Sequence, residues 1–142
     1  MQLQYDIEGG NFTKAGFASS EIKKVLKQLN VDASTIKRIV VSSYEAEVNI
    51  VAHAYKGAVT VVIDHEKIVM QYQDEGPGIP DIEQAMVAGY STASPEVREM
   101  GFGAGMGLPN IHKNADDLLI ESEVNKGTLV TITIYLKQEG GQ

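Results

Sequence analysis

The stretch AVTVVIDHEKIVMQYQDEGPGIPD, residues 58–81, holds two β-branched runs, 58–64 and 67–74, with only His65 and Glu66 between them. A two-residue break between such runs reads as a β-hairpin. The second run ends on Asp74, which is followed by Gly76, Pro77 and Gly78. A carboxylate at a strand end can accept from an exocyclic amine, and glycines behind it let a flat ring approach the backbone. A tight Pro-Gly turn by itself would need no Asp there.

Upstream of the hairpin, Leu3, Tyr5 and Ile7 alternate with polar residues in a first strand that GGN, residues 9–11, brings to an end. A helix over about 14–29 follows, with Phe17, Ile22, Val25, Leu26 and Leu29 on one apolar stripe. NVDAS, residues 30–34, breaks it. Asp32 or Ser34 can cap a second, longer helix that carries Ile36, Ile39, Val40, Tyr44, Val48 and Val51 towards residue 55. Downstream, 75–107 contains most of the Gly and Pro, with one short helix around 82–87. Loops of that length in a compact domain tend to be lids. A helix from near Leu108 and two strands, about 118–124 and 129–136, complete a single α/β domain. The order β, α, α, β, β, lid, α, β, β predicts a two-layer sandwich, a mixed β-sheet with helices on one face.

Composition narrows the function classes. The 142 residues are 43% apolar and 22% charged, as in a soluble globular domain. No stretch approaches the roughly 20 apolar residues of a membrane span, and the N-terminal residues lack the basic and apolar regions of a signal peptide, so the expected location is cytoplasmic with no membrane partner. There is no cysteine, which removes disulfides and thiolate chemistry. A net charge of −7 argues against nucleic acid, whose binding needs clustered Lys and Arg. Any phosphate must then be held mainly by backbone dipoles and a metal ion.

Four clusters carry candidate chemistry. On the second helix Glu45 and Asn49 stand four apart and project from one face. A carboxylate beside a carboxamide suits a proton-accepting base next to a ligand for a hard cation such as Mg²⁺. His53 extends the row by one turn. The Asp74 cluster is the second. The third is EMGFGAGMGLPNI, residues 99–111, with glycines at 101, 103, 105 and 107. This G-x-G-x-G-x-G spacing fits neither the dinucleotide fingerprint nor the P-loop. Because it leads into a helix, its amides could close over phosphates. The fourth is Thr128, just after a turn glycine in NKGTLVTITI, residues 125–134.

In this order, Glu-x-x-x-Asn, Asp-x-Gly-x-Gly, glycine-rich lid and Gly-Thr, the motifs resemble the GHKL ATPase/kinase superfamily, which includes gyrase, MutL, sensor histidine kinases and the small anti-sigma kinases. The resemblance runs from about residue 32 to 136. Within the superfamily, DEGPGIPDIEQAMVAGYST, residues 74–92, and ESEVNKGT, residues 121–128, are similar to the serine/threonine kinase of the stressosome partner-switching system. PEVRE, residues 95–99, looks more like the lid of anti-sigma kinases that bind sigma factors directly.

The resemblance implies a Bergerat ATP-binding fold with its lid at about 79–107, and ATP and Mg²⁺ as ligands. Glu45 is implied as general base and Asn49 as the Mg²⁺ ligand. Asp74 is implied to accept the adenine amino group, with Thr128 near it through its hydroxyl and a bound water. Gly76, Gly78 and Ile79 are implied to shape the adenine pocket, and Gly103, Gly105, Gly107 and Leu108 to line the triphosphate. His53 and, more weakly, Arg98 are implied phosphate contacts. The implied activity is phosphorylation of a Ser or Thr on a STAS-domain antagonist by a homodimeric kinase, with a sigma factor or phosphatase as a further partner. An ATP-dependent binding switch, or an ATPase that regulates a partner without phosphorylating it, is the alternative.

Overall fold

The computed structural model describes residues 1–87 and 107–136; most of the expected lid, with Arg98, Gly103 and Gly105, lies outside the described residues. The elements are β1 (Gln2–Glu8), a short 3-10 turn (Phe12–Lys14), α1 (Phe17–Gln28), α2 (Ala33–His53), β2 (Lys56–Ile63), β3 (Lys67–Glu75), α3 (Ile82–Ala85), α4 (Gly107–Asn114), β4 (Asp117–Glu123) and β5 (Gly127–Tyr135). The strands form one sheet in the order β1-β2-β3-β5-β4. Inward-facing Val59, Val61, Ile68, Met70, Ile132 and Ile134 are buried under the helices.

The two-layer arrangement is as expected, but the sheet is not mixed: each of its four strand pairings is antiparallel. Connectivity explains this. One return helix would bring β2 back parallel to β1, but α1 and α2 together return the chain to the end it left, so β2 runs the other way. β3 and β4 do share a direction through the single return by α4, yet the hairpin partner of β4, β5, inserts between them.

Local chemistry sets the element ends. Asn30 takes the left-handed conformation at φ 57°. Around it Asn30 N–H donates to the Lys27 carbonyl at 3.1 Å and Val31 N–H to the Leu26 carbonyl at 3.2 Å, the Schellman closure of α1. Asp32 then caps α2, accepting from the Ser34 and Thr35 amides at 3.1 and 3.2 Å. At the β2–β3 turn the Asp64 carboxylate accepts from the Glu66 and Lys67 amides at 2.7 and 2.9 Å.

Phe17 departs from its expected stripe and is 59% exposed. It stands nine residues from buried Leu26, about two and a half helical turns, and so on the opposite face. The buried face of α1 instead carries Ala18, Ser19, Ile22 and Leu26.

The polar Ser19 on that face belongs to a network around Glu47, which is 2% exposed on α2. The Glu47 carboxylate accepts from the amides of Gly16, Ala18 and Ser19 at 2.9, 3.2 and 3.0 Å and from the Ser19 hydroxyl at 2.7 Å. It thereby caps α1 from another helix and offsets its own desolvation through charge-assisted bonds. Ser19 continues to Ser43 at 2.9 Å, and Ser43 to the Tyr72 hydroxyl, so α1, α2 and β3 share one buried polar seam. Burial pushes the Tyr72 phenol well above its usual range, so it stays protonated. The Glu47→Ala variant strands these donors and should lose about 3–5 kcal/mol of stability in urea unfolding. Glu47→Gln, which keeps an acceptor oxygen, should lose less; unchanged stability in Glu47→Ala would mean that packing alone holds α1.

Candidate functional site

Glu45, Asn49 and His53 follow one another at successive turns along the half of α2 that leads to the C-terminal end of β3. The half-buried Glu45 and Asn49 lie beneath the first residue of α4. A Cβ on Gly107 would stand 3.0 Å from Asn49 Oδ1, 3.3 Å from Asn49 Nδ2 and 3.3 Å from Glu45 Oε2. A side chain there would make Asn49 and Glu45 give by a few tenths of an ångström, so glycine lets α4 come this close without displacing them. Burial pushes the Glu45 carboxyl above its ordinary range, against the opposing effect of a hydrogen bond from the Asn110 side chain.

The second part of the site lies at the end of β3. Asp74 Oδ1 accepts from the Thr128 amide at 3.0 Å, and no other hydrogen bond or ion pair holds its carboxylate among the described residues. Burial again raises its proton affinity, partly countered by that amide. The Thr128 hydroxyl does not turn to Asp74 but pairs with Ser122 Oγ at 3.0 Å. Ser122 is a hub that also receives the Ile79 amide at 2.7 Å and donates to the Gly127 carbonyl at 3.1 Å. It joins β4, β5 and the segment after β3.

The glycines behind Asp74 sit where the chain crowds itself. Gly76 is buried, with a Cβ position 3.0 Å from Ala54 Cα and 3.5 Å from the His53 carbonyl, which ties this loop to the end of α2. Gly78 has φ 77°, and its Cβ would stand 2.5 Å from the Glu123 carbonyl oxygen. Leu108 and Ile79 pack on the core, Leu108 fully and Ile79 partly buried. His53, half-buried in the last turn of α2, has its pKa lowered by desolvation, favouring the neutral ring.

The described fold therefore gathers Glu45, Asn49 and Gly107 in one place and Asp74, Thr128, Gly78 and Ile79 in another, with Gly76 against the end of α2 where His53 stands. Neither half-buried carboxylate has a cationic partner among the described residues, which makes both candidates to meet donors from outside the chain. Asn49 supplies one hard oxygen donor, which suits Mg²⁺, a cation that takes few protein ligands and completes its shell with water and phosphate. Among the described residues no three His, Cys, Asp or Glu side chains converge as a metal cluster.

The same architecture is found in known proteins. Residues 13–134 match the family described as the histidine kinase-like ATPase domain. The chain belongs to that family. This ATPase-family domain is 31% identical over 144 residues to a protein named anti-sigma F factor from Geobacillus stearothermophilus, covering 97% of this chain and 90% of that one. It is 34% identical over 125 residues to the protein of the same name from Thermoanaerobacter sp. (strain X514), covering 84% of each. Among solved structures, a chain of the SiaB–SiaC complex from Pseudomonas aeruginosa superposes with a TM-score of 0.58 at 10% identity, covering 94% of this chain and 89% of that one. The mycobacterial sensor histidine kinase MprB does so with 0.53 at 17%, covering 98% and 100%. No helix among the described residues is long and apolar enough to cross a membrane.

Three contributors were not singled out from sequence: Ser122, Asn110 and Glu47. Ser122 had a signal, since it takes the inward parity of Leu118 and Ile120 on β4 yet is polar.

The raised pKa of Asp74 has a consequence for stability. A carboxyl whose folded pKa lies above its unfolded one destabilises the fold when ionised, and the penalty disappears as pH falls through the folded pKa. Asp74→Asn should raise the unfolding midpoint at pH 7, with the gain over the unmodified chain shrinking towards acid pH in thermal melts. The same variant should weaken ATP about ten- to a hundredfold, as loss of one charged hydrogen bond does. A fall in stability at pH 7 would reject the view that this carboxylate strains the fold.

Proposed function

We propose that the chain binds ATP and transfers its γ-phosphate to a Ser or Thr of a partner protein, as a kinase in a partner-switching circuit. The observation that carries the reading is the approach of Gly107, the last glycine of the run, onto Glu45 and Asn49. It sets the residues implied to face the phosphates against the implied base and metal ligand.

Each side chain has a definable task. Asp74, oriented by the Thr128 amide, accepts from the adenine amino group through the carboxylate oxygen that has no bond among the described residues. Gly76, Gly78 and Ile79 allow the ring to lie against backbone. Gly107 and Leu108, with Gly103 and Gly105 from the lid, present amides to the triphosphate, and neutral His53 can donate to it. Mg²⁺ held by Asn49, when bound, supplies charge neutralisation at the phosphates. Glu45 takes the proton of the attacking hydroxyl as its oxygen bonds to the γ-phosphorus and the bond to the ADP oxygen breaks. Burial suits the task, because it gives this carboxylate a higher proton affinity than one in water. Phosphoryl transfer requires chiefly positioning and charge stabilisation, which a small domain can provide.

The likeness to anti-sigma F factors supports a partner of that circuit, a STAS-domain antagonist as substrate and a sigma factor or phosphatase as the regulated protein. Phosphorylation adds about −1.5 to −2 charges, enough to break a complementary interface. The domain works as a homodimer with residues 79–107 as its lid. Incubation with γ-labelled ATP and a candidate STAS partner should place label on Ser or Thr of the partner. Glu45→Ala should abolish that label while sparing ATP affinity. ATP binding without transfer would assign the chain to nucleotide-dependent switching, and phosphate release without partner label would make it an ATPase.

A further inference from the structure

Glu45 is held from outside its own helix. Asn110, half-buried on α4 one turn beyond Gly107, hydrogen-bonds the Glu45 carboxylate through its side chain. The geometry around it is fixed at several points. The Asn110 carbonyl accepts from Asn114 Nδ2 at 2.8 Å. The Asn114 carbonyl, at the far end of α4, accepts from Arg38 Nε at 3.0 Å. Arg38 Nη2 meets Asp116 Oδ1 at 3.0 Å, and Asp116 Oδ2 accepts from the Tyr135 amide at 2.8 Å. Arg38 and Glu45 are seven residues apart, two turns along one face of α2. α4 therefore lies antiparallel to α2 and is held to it by Arg38 at one end and by Asn110 towards the other, where Gly107 comes close to Glu45 and Asn49.

We propose that Asn110 is a positioning residue for Glu45: its carboxamide N–H fixes one carboxylate oxygen so that the other faces the substrate hydroxyl, and the Arg38 clamp on α4 sets where that carboxamide stands. This rests on the reading of Glu45 as the base. A freely rotating carboxylate would occupy the productive geometry only part of the time, and misplacement of about 1 Å can cost on the order of a hundredfold in rate. Because α4 begins on Gly107, the last glycine of the run, its position also links the base to the segment implied to cover the phosphates.

The test compares Asn110→Leu, which keeps the approximate shape and removes the donor, with Asn110→Gln, which restores a carboxamide. In the leucine variant kcat for transfer from ATP should fall about ten- to a hundredfold, with the Kd for ATP and the urea midpoint unchanged within twofold and within error. The glutamine variant should recover part of the loss. Independently of turnover, the Asn110 side-chain NH₂ resonances of the nucleotide-free protein should shift in Glu45→Ala, as expected when a charge-assisted bond is lost. Unchanged kcat in Asn110→Leu, or parallel loss of kcat, ATP affinity and stability, overturns the positioning role while leaving Glu45 as base intact. Failure of the unmodified chain to turn over ATP, with or without a partner, overturns the base assignment and this inference with it.

Discussion

The approach of α4 to α2 at Gly107 is a steric constraint from which most of the site follows. A side chain at that position would press on the ends of Asn49 and Glu45, so glycine lets the two helices meet without displacing these two side chains. With α4 seated there, Asn110 reaches Glu45, Leu108 enters the core, and the Arg38 bonds at the other end keep the helix antiparallel to α2. Glycine at 107 thus eases the packing of α4 on α2, and the phosphate contact proposed for this residue builds on that packing.

Two kinds of buried carboxylate mark the division between scaffold and site. Glu47 is fully buried and receives four donors, three amides and a hydroxyl. It fastens α1 to α2 and has no capacity left for a ligand. Glu45 and Asp74 are only half-buried, each held by one donor among the described residues, and their proton affinities are raised by burial. The chain tolerates this unfavourable placement at both ends of the site. On the proposed reading, a bound nucleotide relieves it at Asp74 by giving the second oxygen a donor, and a substrate hydroxyl relieves it at Glu45.

The elements governed by local rules were legible in the sequence. The His65-Glu66 hairpin, the Asp32 cap, the break at Asn30 and the helix from Gly107 stand within a residue or two of their expected places, because each is set by turn or cap chemistry inside a few residues. The strand directions were not, since they depend on how the helical pair and the inserted β5 route the chain. Phe17 leaves the stripe because its angle on the helix, half a turn from Leu26, outweighs its apolar identity. Glu45, Asn49, Asp74 and Thr128 could be named from spacing, yet the contacts made by Asn110, Ser122 and Glu47 join residues 28 or more positions apart or depend on side-chain parity, which periodicity alone does not display.

The nucleotide site proposed beside Asp74 has a physical competitor on the other face of the sheet. The helix-free face carries a shallow depression of about 560 Å³ lined by Gln4, Thr60, Gln71, Gln73 and Lys56 among others, and it reaches Asp74 at the end of β3. A crystal structure with Mg²⁺ and a non-hydrolysable ATP analogue decides between them. The adenine amino group is predicted to lie within hydrogen-bond distance of the Asp74 carboxylate, and the metal on Asn49 Oδ1. Nucleotide bound against Gln71 and Gln73 on the opposite face, or phosphates turned away from Glu45, would contradict the account.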